Sequence, residues 1–141
     1  MNLAWWSLRF YLIDRKNNES AIQTIDKAGQ DMIARKRSIS IAPEGTRTLT
    51  GQMANFKKGA FHLAIRYQMP IYPLVVAGAY EAMPKGQLWA NPYPIALKFL
   101  EPVSTDNLSI DDLEQCVSSI HQTMQMEYEK LRATNGLPPL K

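Results

Sequence analysis

Ile39-Ser40-Ile41-Ala42-Pro43-Glu44-Gly45-Thr46-Arg47, followed by Asn55-Phe56-Lys57-Lys58-Gly59-Ala60-Phe61, is the stretch on which the rest of the chain turns. An apolar, β-prone run stops at Pro43, a short loop carries one carboxylate, one glycine and one arginine, and a lysine pair then opens a helix. These residue types in this order suit a phosphate. Arg47 offers a planar fork of donors that matches phosphate oxygens in pairs. Gly45 lets the backbone come close or take a positive φ. Lys57 and Lys58 fall at a helix start, where unpaired N–H groups already favour an anion. Glu44 repels phosphate, so its expected task is to pair with Arg47 or with a backbone N–H and shape the loop together with Gly45 and Thr46. Glu-Gly-Thr-Arg alone describes an ordinary solvated turn; the strand before it and the helix start after it favour the anion site.

Working upstream, Tyr11 to Asp14 reads as a short buried strand ending in Asp14-Arg15, and Asn17 or Asn18 suits the cap of a following helix. Ile22, Ile25, Gly29, Met32 and Ile33 recur at helical spacing, with Arg35-Lys36-Arg37 at the end that favours cations. Ser38 to Ala42 reads as the next strand. Strand, helix and strand at this spacing predict a right-handed βαβ unit with parallel strands. Ligands in open α/β sheets gather beyond the carboxyl ends of strands, where both Arg15 and Arg47 fall. Arg15 therefore joins the phosphate-binding candidates, against the simpler alternative of a pair with Asp14.

Downstream, the polar loop from Thr48 to Asn55 is expected to be mobile until a ligand arrives. Ala60, Phe61, Ala64 and Ile65 mark a helix over Lys57 to Tyr67 with His62 beside its stripe, and Pro70 ends it. Ile71 to Ala77 reads as a strand in which Pro73 argues for an edge or a bulge. Gly78 to Pro94 is loop-rich; its Lys85 could meet an anionic substrate, but an exposed loop lysine is the favoured reading. Ile95 to Leu100 alternates as a last strand. Ser109-Ile110-Asp111-Asp112 opens a final helix over 109–134, with Ile110, Leu113, Val117, Ile120, Met124 and Leu131 as its core stripe.

The 141 residues suit one domain, with the hydrophobic content (45%) and charge (21%) of a folded chain. A net charge of +3 suits anionic partners without choosing among them. Nucleic acid is disfavoured, because the cations are scattered and not interleaved with aromatics. The single cysteine, Cys116, excludes an internal disulfide and lies in an apolar helical stripe. Residues 1–10 are apolar and aromatic; Trp5 and Trp6 suit either a membrane interface or a packed helix end. No run of apolar residues is long enough to cross a membrane.

Ala42-Pro43-Glu44-Gly45-Thr46-Arg47 with Phe56-Lys57-Lys58-Gly59-Ala60-Phe61 resembles the third sequence block of the lysophosphatidic acid acyltransferase family, with Ala42 where phenylalanine is usual. Tyr11-Leu12-Ile13-Asp14-Arg15 resembles the second block, and Met69-Pro70-Ile71-Tyr72-Pro73-Leu74-Val75-Val76 the fourth; Met83-Pro84-Lys85-Gly86 is also similar to the family. The resemblance implies an α/β fold, a mostly parallel or mixed sheet flanked by helices, incomplete at the N-terminus. It implies one partial acyltransferase domain over 1–141, acting peripherally at the cytoplasmic face of a membrane. The implied reaction transfers an acyl chain from acyl-CoA or acyl carrier protein to 1-acylglycerol-3-phosphate, giving phosphatidic acid, with no cofactor and no metal. Arg47, Arg15, Lys57 and Lys58 would bind the acceptor phosphate. The family's His-x-x-x-x-Asp block has no counterpart here: the fifth residue after His62 is Tyr67 and after His121 is Met126. No catalytic residue is therefore assigned. His62 and His121 read as core or boundary residues, the latter away from the phosphate loop. The chain is expected to be the C-terminal part of a longer acyltransferase, inactive and prone to associate alone. The alternative is a non-catalytic module that binds a phospholipid or another phosphorylated ligand.

Overall fold

The computed structural model describes residues 18–138 and 140. They fall in two compact units, 1–41 and 42–141. In the first, helix α1 (Asn18–Arg35) ends on the basic run expected there. Lys36 takes φ +50, its N–H donating to Ile33 O while the Arg37 N–H donates to Met32 O at 2.9 Å. This pair of bonds closes the helix end in a Schellman arrangement, here without glycine. Asp31 and Arg35 pair one turn apart at 3.5 Å. The segments read as a strand over 11–14, as a membrane or helix-end segment over 1–10, and as a phosphate ligand at Arg15 lie outside the described residues.

The strand expected over Ser38–Ala42 forms no ladder among the described residues, and the boundary between the two units falls inside it. A strand exists through its neighbour's hydrogen bonds, and the neighbour the βαβ reading gave it is the undescribed 11–14. The parallel pairing is accordingly absent from the described part.

The second unit holds helix α2 (Gly59–Arg66), strand β1 (Leu74–Ala77), the one-turn helix α3 (Ala79–Ala82), strand β2 (Ala96–Phe99), a 3-10 turn (Ile110–Asp112) and helix α4 (Leu113–Thr134). This is an α/β fold. The described strands pair antiparallel, Leu74 opposite Phe99 and Ala77 opposite Ala96, as a mixed sheet allows. Pro73, with no N–H to give, delays β1 to Leu74. Its carbonyl still accepts from Leu100 at 2.9 Å, and Ile71 makes a separate bridge with Val103.

Helix α4 is the spine of this unit. One turn face packs Cys116 and Ile120 on Phe61 and Ile65 of α2, with Phe56, Leu113, Val117 and Val103 around them. Further along, Tyr128 packs on Val75 and Ala77 of β1, with Met53, Leu131 and Leu140. Met124 joins both clusters. Each large apolar side chain so buried stabilises the unit by about 1.5–3 kcal/mol. Ile110, expected at the head of the stripe, is 47% exposed, because the 3-10 turn rotates it away. Thr105, fully buried, donates from Oγ1 to Met69 O at 3.0 Å and so ties the chain after β2 to the end of α2.

Candidate anion site

The loop from Pro43 to Lys58 is built from its own backbone. The Gly45 N–H donates to Ala42 O at 3.1 Å, closing a turn over Pro43 and Glu44, and Gly45 then takes φ +73, a conformation glycine adopts without strain. The Lys57 N–H donates to Pro43 O at 2.8 Å, so the residues before α2 are tied back to the start of the loop. The Lys57 stem runs past Gly45 within ordinary van der Waals reach. Glu44 turns inward: its Oε2 accepts the Ala54 N–H at 2.7 Å. Of the two partners the sequence offered Glu44, the backbone N–H is the one it takes, which leaves Arg47 free of a carboxylate.

Arg47 is exposed and its guanidinium bonds no described residue. Lys57 is likewise exposed and unpaired among the described residues. Lys58 differs. It occupies the N-cap position of α2 and its ammonium pairs with Glu114 in the first turn of α4. Much of its charge is thereby answered within the protein. The fold also brings Lys85 to the loop: its Nζ donates to Thr46 Oγ1 at 3.2 Å across 39 residues of sequence. Lys85 is exposed, as a loop lysine should be, yet it stands against the loop.

The segment Thr48–Asn55, expected to move, is held at several points. Thr48 Oγ1 accepts the Gly51 N–H at 3.0 Å, Tyr80 donates its hydroxyl proton to Leu49 O at 3.2 Å, and Tyr128 donates to Gly51 O at 2.8 Å. Gly51 is buried at φ +84, where a Cβ would lie 2.4 Å from Leu140. Met53 enters the β1–α4 core. Polar composition suggested freedom; two tyrosine hydroxyls, that of Tyr128 buried, and one apolar anchor remove it.

Behind this segment lies a buried charge network. Arg132 of α4 donates to Glu81 Oε1 at 2.7 Å and to Tyr128 Oη at 3.3 Å. A further Arg132 bond goes to Pro138 O. Burial pushes the Tyr128 phenol above its ordinary value, opposed in part by the Arg132 hydrogen bond. The phenol thus stays protonated and able to donate to Gly51.

His121 is closer to the loop than its place on the terminal helix suggested. Its Nε2 lies 3.2 Å from Ala54 O; a carbonyl only accepts, so Nε2 carries the proton. Its ring meets Phe56 edge-on at 4.6 Å, and Phe56 stacks on Phe61 at 5.9 Å. The histidine is thus a support for the loop's end. The His62 side chain bonds no described residue, and neither histidine ring bonds a carboxylate among them. Among the described residues no cluster of His, Cys, Asp and Glu can hold a metal, and no helix is long and apolar enough to cross a membrane. A separate cleft of 710 Å³ runs between the end of β2 and α4, past Lys98, Glu101, Gln115 and Ser119. It shares no lining residue with the 43–58 loop.

The α/β unit thus carries a glycine-turned loop ahead of a helix start, with Arg47 and Lys57 unpaired among the described residues. The acyltransferase family matches residues 1–77, and the chain belongs to that family. Within it, the chain is a homologue of the 1-acyl-sn-glycerol-3-phosphate acyltransferases. It is 38% identical to that enzyme of Limnanthes douglasii over 109 residues, covering 77% of this chain and 39% of the relative. It is 33% identical to the alpha enzyme of Mus musculus over 136 residues, covering 96% of this chain and 47% of the relative. The crystal structure of the 1-acyl-sn-glycerophosphate (LPA) acyltransferase PlsC from Thermotoga maritima superposes with a TM-score of 0.70 at 26% identity, over 80% of this chain and 46% of that one. The chain therefore spans less than half the length of these relatives.

Proposed function

We propose that this chain is the acceptor-binding part of an acyltransferase of phospholipid synthesis, and that its loop holds the phosphate of a lysophosphatidic acid. One observation carries the reading: Glu44, the carboxylate nearest Arg47 in sequence, is bound to the Ala54 N–H, while Arg47 has no partner among the described residues. An arginine left uncompensated beside a positive-φ glycine and a helix start suits a tetrahedral anion. Lys57 and Lys85 add charge, with Lys58 shared between the anion and Glu114; Arg15 stays a candidate on the sequence and the family resemblance alone. In the full reaction the acceptor hydroxyl attacks the thioester carbonyl of acyl-CoA or acyl carrier protein, the thiol leaves, and phosphatidic acid forms. The proton on that hydroxyl needs a base, and among the described residues neither His62 nor His121 has the carboxylate partner that would make it one.

The whole is expected to work peripherally on the cytoplasmic face of a membrane, and this chain alone is expected to bind without turnover. The test titrates the purified 141-residue protein with lysophosphatidic acid and, separately, assays acyl transfer from acyl-CoA. Arg47→Ala is expected to weaken binding about 10- to 100-fold, the loss of a charge-assisted pair of hydrogen bonds, with folding unchanged. Binding that survives Arg47→Ala refutes the phosphate loop. Measurable turnover refutes the binding-only role of this chain.

A further inference from the structure

The largest exposed apolar side chains outside the sheet stand together, and the proposed phosphate loop does not use them. Leu88 is 86% and Trp89 83% exposed, at the tip of the segment between α3 and β2. The tip is not a loose end. The Asn91 N–H donates to Ala82 O at 2.7 Å and closes the base, while the Asn91 side-chain amide donates to Glu81 O at 3.2 Å and to Gln87 Oε1 at 3.3 Å. The Gln87 N–H donates to Pro84 O at 3.2 Å, making a turn just before Leu88. Hydrogen bonds therefore hold an indole and a leucine out in water, where single exposed residues are common but an adjacent Leu-Trp pair on a closed loop is not.

Charge identifies the surface that would take them. Between Glu44 and Glu101 the sequence has six lysines and arginines and a single carboxylate, Glu81. That carboxylate is sequestered by Arg132. Lys58 and Lys98 are answered by Glu114 and Glu127, and Arg66 lies over the Tyr67 ring. What remains unpaired among the described residues is Arg47, Lys57 and Lys85, and Lys85, three residues before Leu88, reaches the phosphate loop through Thr46. An apolar tip flanked by cations matches an anionic lipid surface, with the indole at the headgroup level and leucine beneath it.

We propose that the loop 83–91 docks on an anionic membrane, inserting Leu88 and Trp89, and so holds the rim formed by Thr46, Arg47 and Lys85 at the level of lipid phosphates. The proposal rests on the phosphate-loop reading for the use of that rim, though the docking itself does not need it. A lysophospholipid reaching this rim keeps its chain in the bilayer while its phosphate meets Arg47.

The chain has three tryptophans, so Trp5→Phe with Trp6→Phe leaves Trp89 as the sole tryptophan, excited selectively over the tyrosines. With vesicles of phosphatidylcholine and phosphatidylglycerol, Trp89 emission is expected to shift to the blue and to be quenched by lipids brominated on their acyl chains. In a sedimentation assay Leu88→Ser/Trp89→Ser, with an unchanged melting temperature, is expected to lower vesicle partitioning at least about tenfold. Vesicle binding with unchanged Trp89 emission, undiminished sedimentation of the double variant, or no vesicle binding at all would each overturn the proposal. So would a dimer in light scattering that the double variant abolishes, which would give the tip to a second copy. A parallel titration with glycerol 3-phosphate separates the two readings. Trp89 insertion with no phosphate binding sinks the phosphate loop alone; phosphate binding lost in Arg47→Ala, with Trp89 still in water, sinks the docking loop alone.

Discussion

Arg132 lies 5% exposed between Glu81, Tyr128 and Pro138, and its removal is expected to be the costliest single change in the unit 42–141. Arg132→Met would leave the Glu81 carboxylate uncompensated at 11% side-chain exposure, with one oxygen already unpartnered. The expected loss is about 3–5 kcal/mol in urea unfolding. Glu81→Leu combined with Arg132→Met is expected to recover most of it, because a neutral pair carries no desolvation cost. If the double variant is as unstable as the single one, packing and not charge is what Arg132 supplies. This network also marks the limit of what the sequence discloses at this scale. The turn made by Glu44, Gly45 and Lys57 is legible because their partners, Ala54, Ala42 and Pro43, lie within the same short stretch. Tyr128 and Gly51 meet across 77 residues and Arg132 and Glu81 across 51, and nothing in the local pattern of either announces the other. Lys85 reads in sequence as an exposed loop lysine over an anion contact for the same reason, since its bond to Thr46 exists only once the fold has formed. Lys58 shows the same dependence on distant residues: a lysine at a helix start suits an anion, and the local pattern does not disclose that Glu114, 56 residues on, pairs with it.

At the scale of elements, the start of α4 is set by a reciprocal cap. The Ser109 N–H and hydroxyl both donate to Asp112 Oδ2 at 2.8 Å, and the carboxylate is held below its ordinary pKa by these bonds. A depressed carboxylate contributes stability above the ordinary aspartate value of about 3.9 and loses it as pH falls through its lowered native value. Asp112→Asn is therefore expected to lower the melting temperature at neutral pH and to reduce the further drop seen on acidification below pH about 4. An unchanged acid dependence would show that the cap carries no linkage. Helices α1, α2 and α4 lie where their apolar periodicity puts them, since a helix satisfies its backbone within its own residues. Strands do not have that autonomy. Ser38–Ala42 has strand composition and no ladder among the described residues, and β1 starts three residues later than Ile71 because Pro73 breaks the register. The loop 48–55 shows the same dependence on distant residues, with tyrosines from α3 and α4 supplying the donors that fix it.

For the molecule as a whole, the arrangement of the sheet dictates its behaviour in solution. In the antiparallel pair Val75, Ala77, Ala96 and Lys98 share the face toward α4, so Val76, Leu97 and Phe99 share the opposite one. There Leu97 is 63% and Phe99 71% exposed, with Val76 at 38% beside them. Contiguous apolar side chains on a sheet face seek cover, and a two-stranded sheet also leaves open edges among the described residues. A net charge of +3 gives little repulsion to keep copies apart. The isolated chain is accordingly expected to associate as its concentration rises, read as a growing mass in light scattering. The open edge alone would predict association that no side-chain change on the face relieves. The exposed face predicts that Leu97→Thr/Phe99→Thr, which puts β-branched strand formers at both positions, shifts the protein toward monomer without loss of helix in circular dichroism. A monodisperse monomer at high concentration before any substitution would refute both causes. Association untouched by the double substitution would leave the edge as its source.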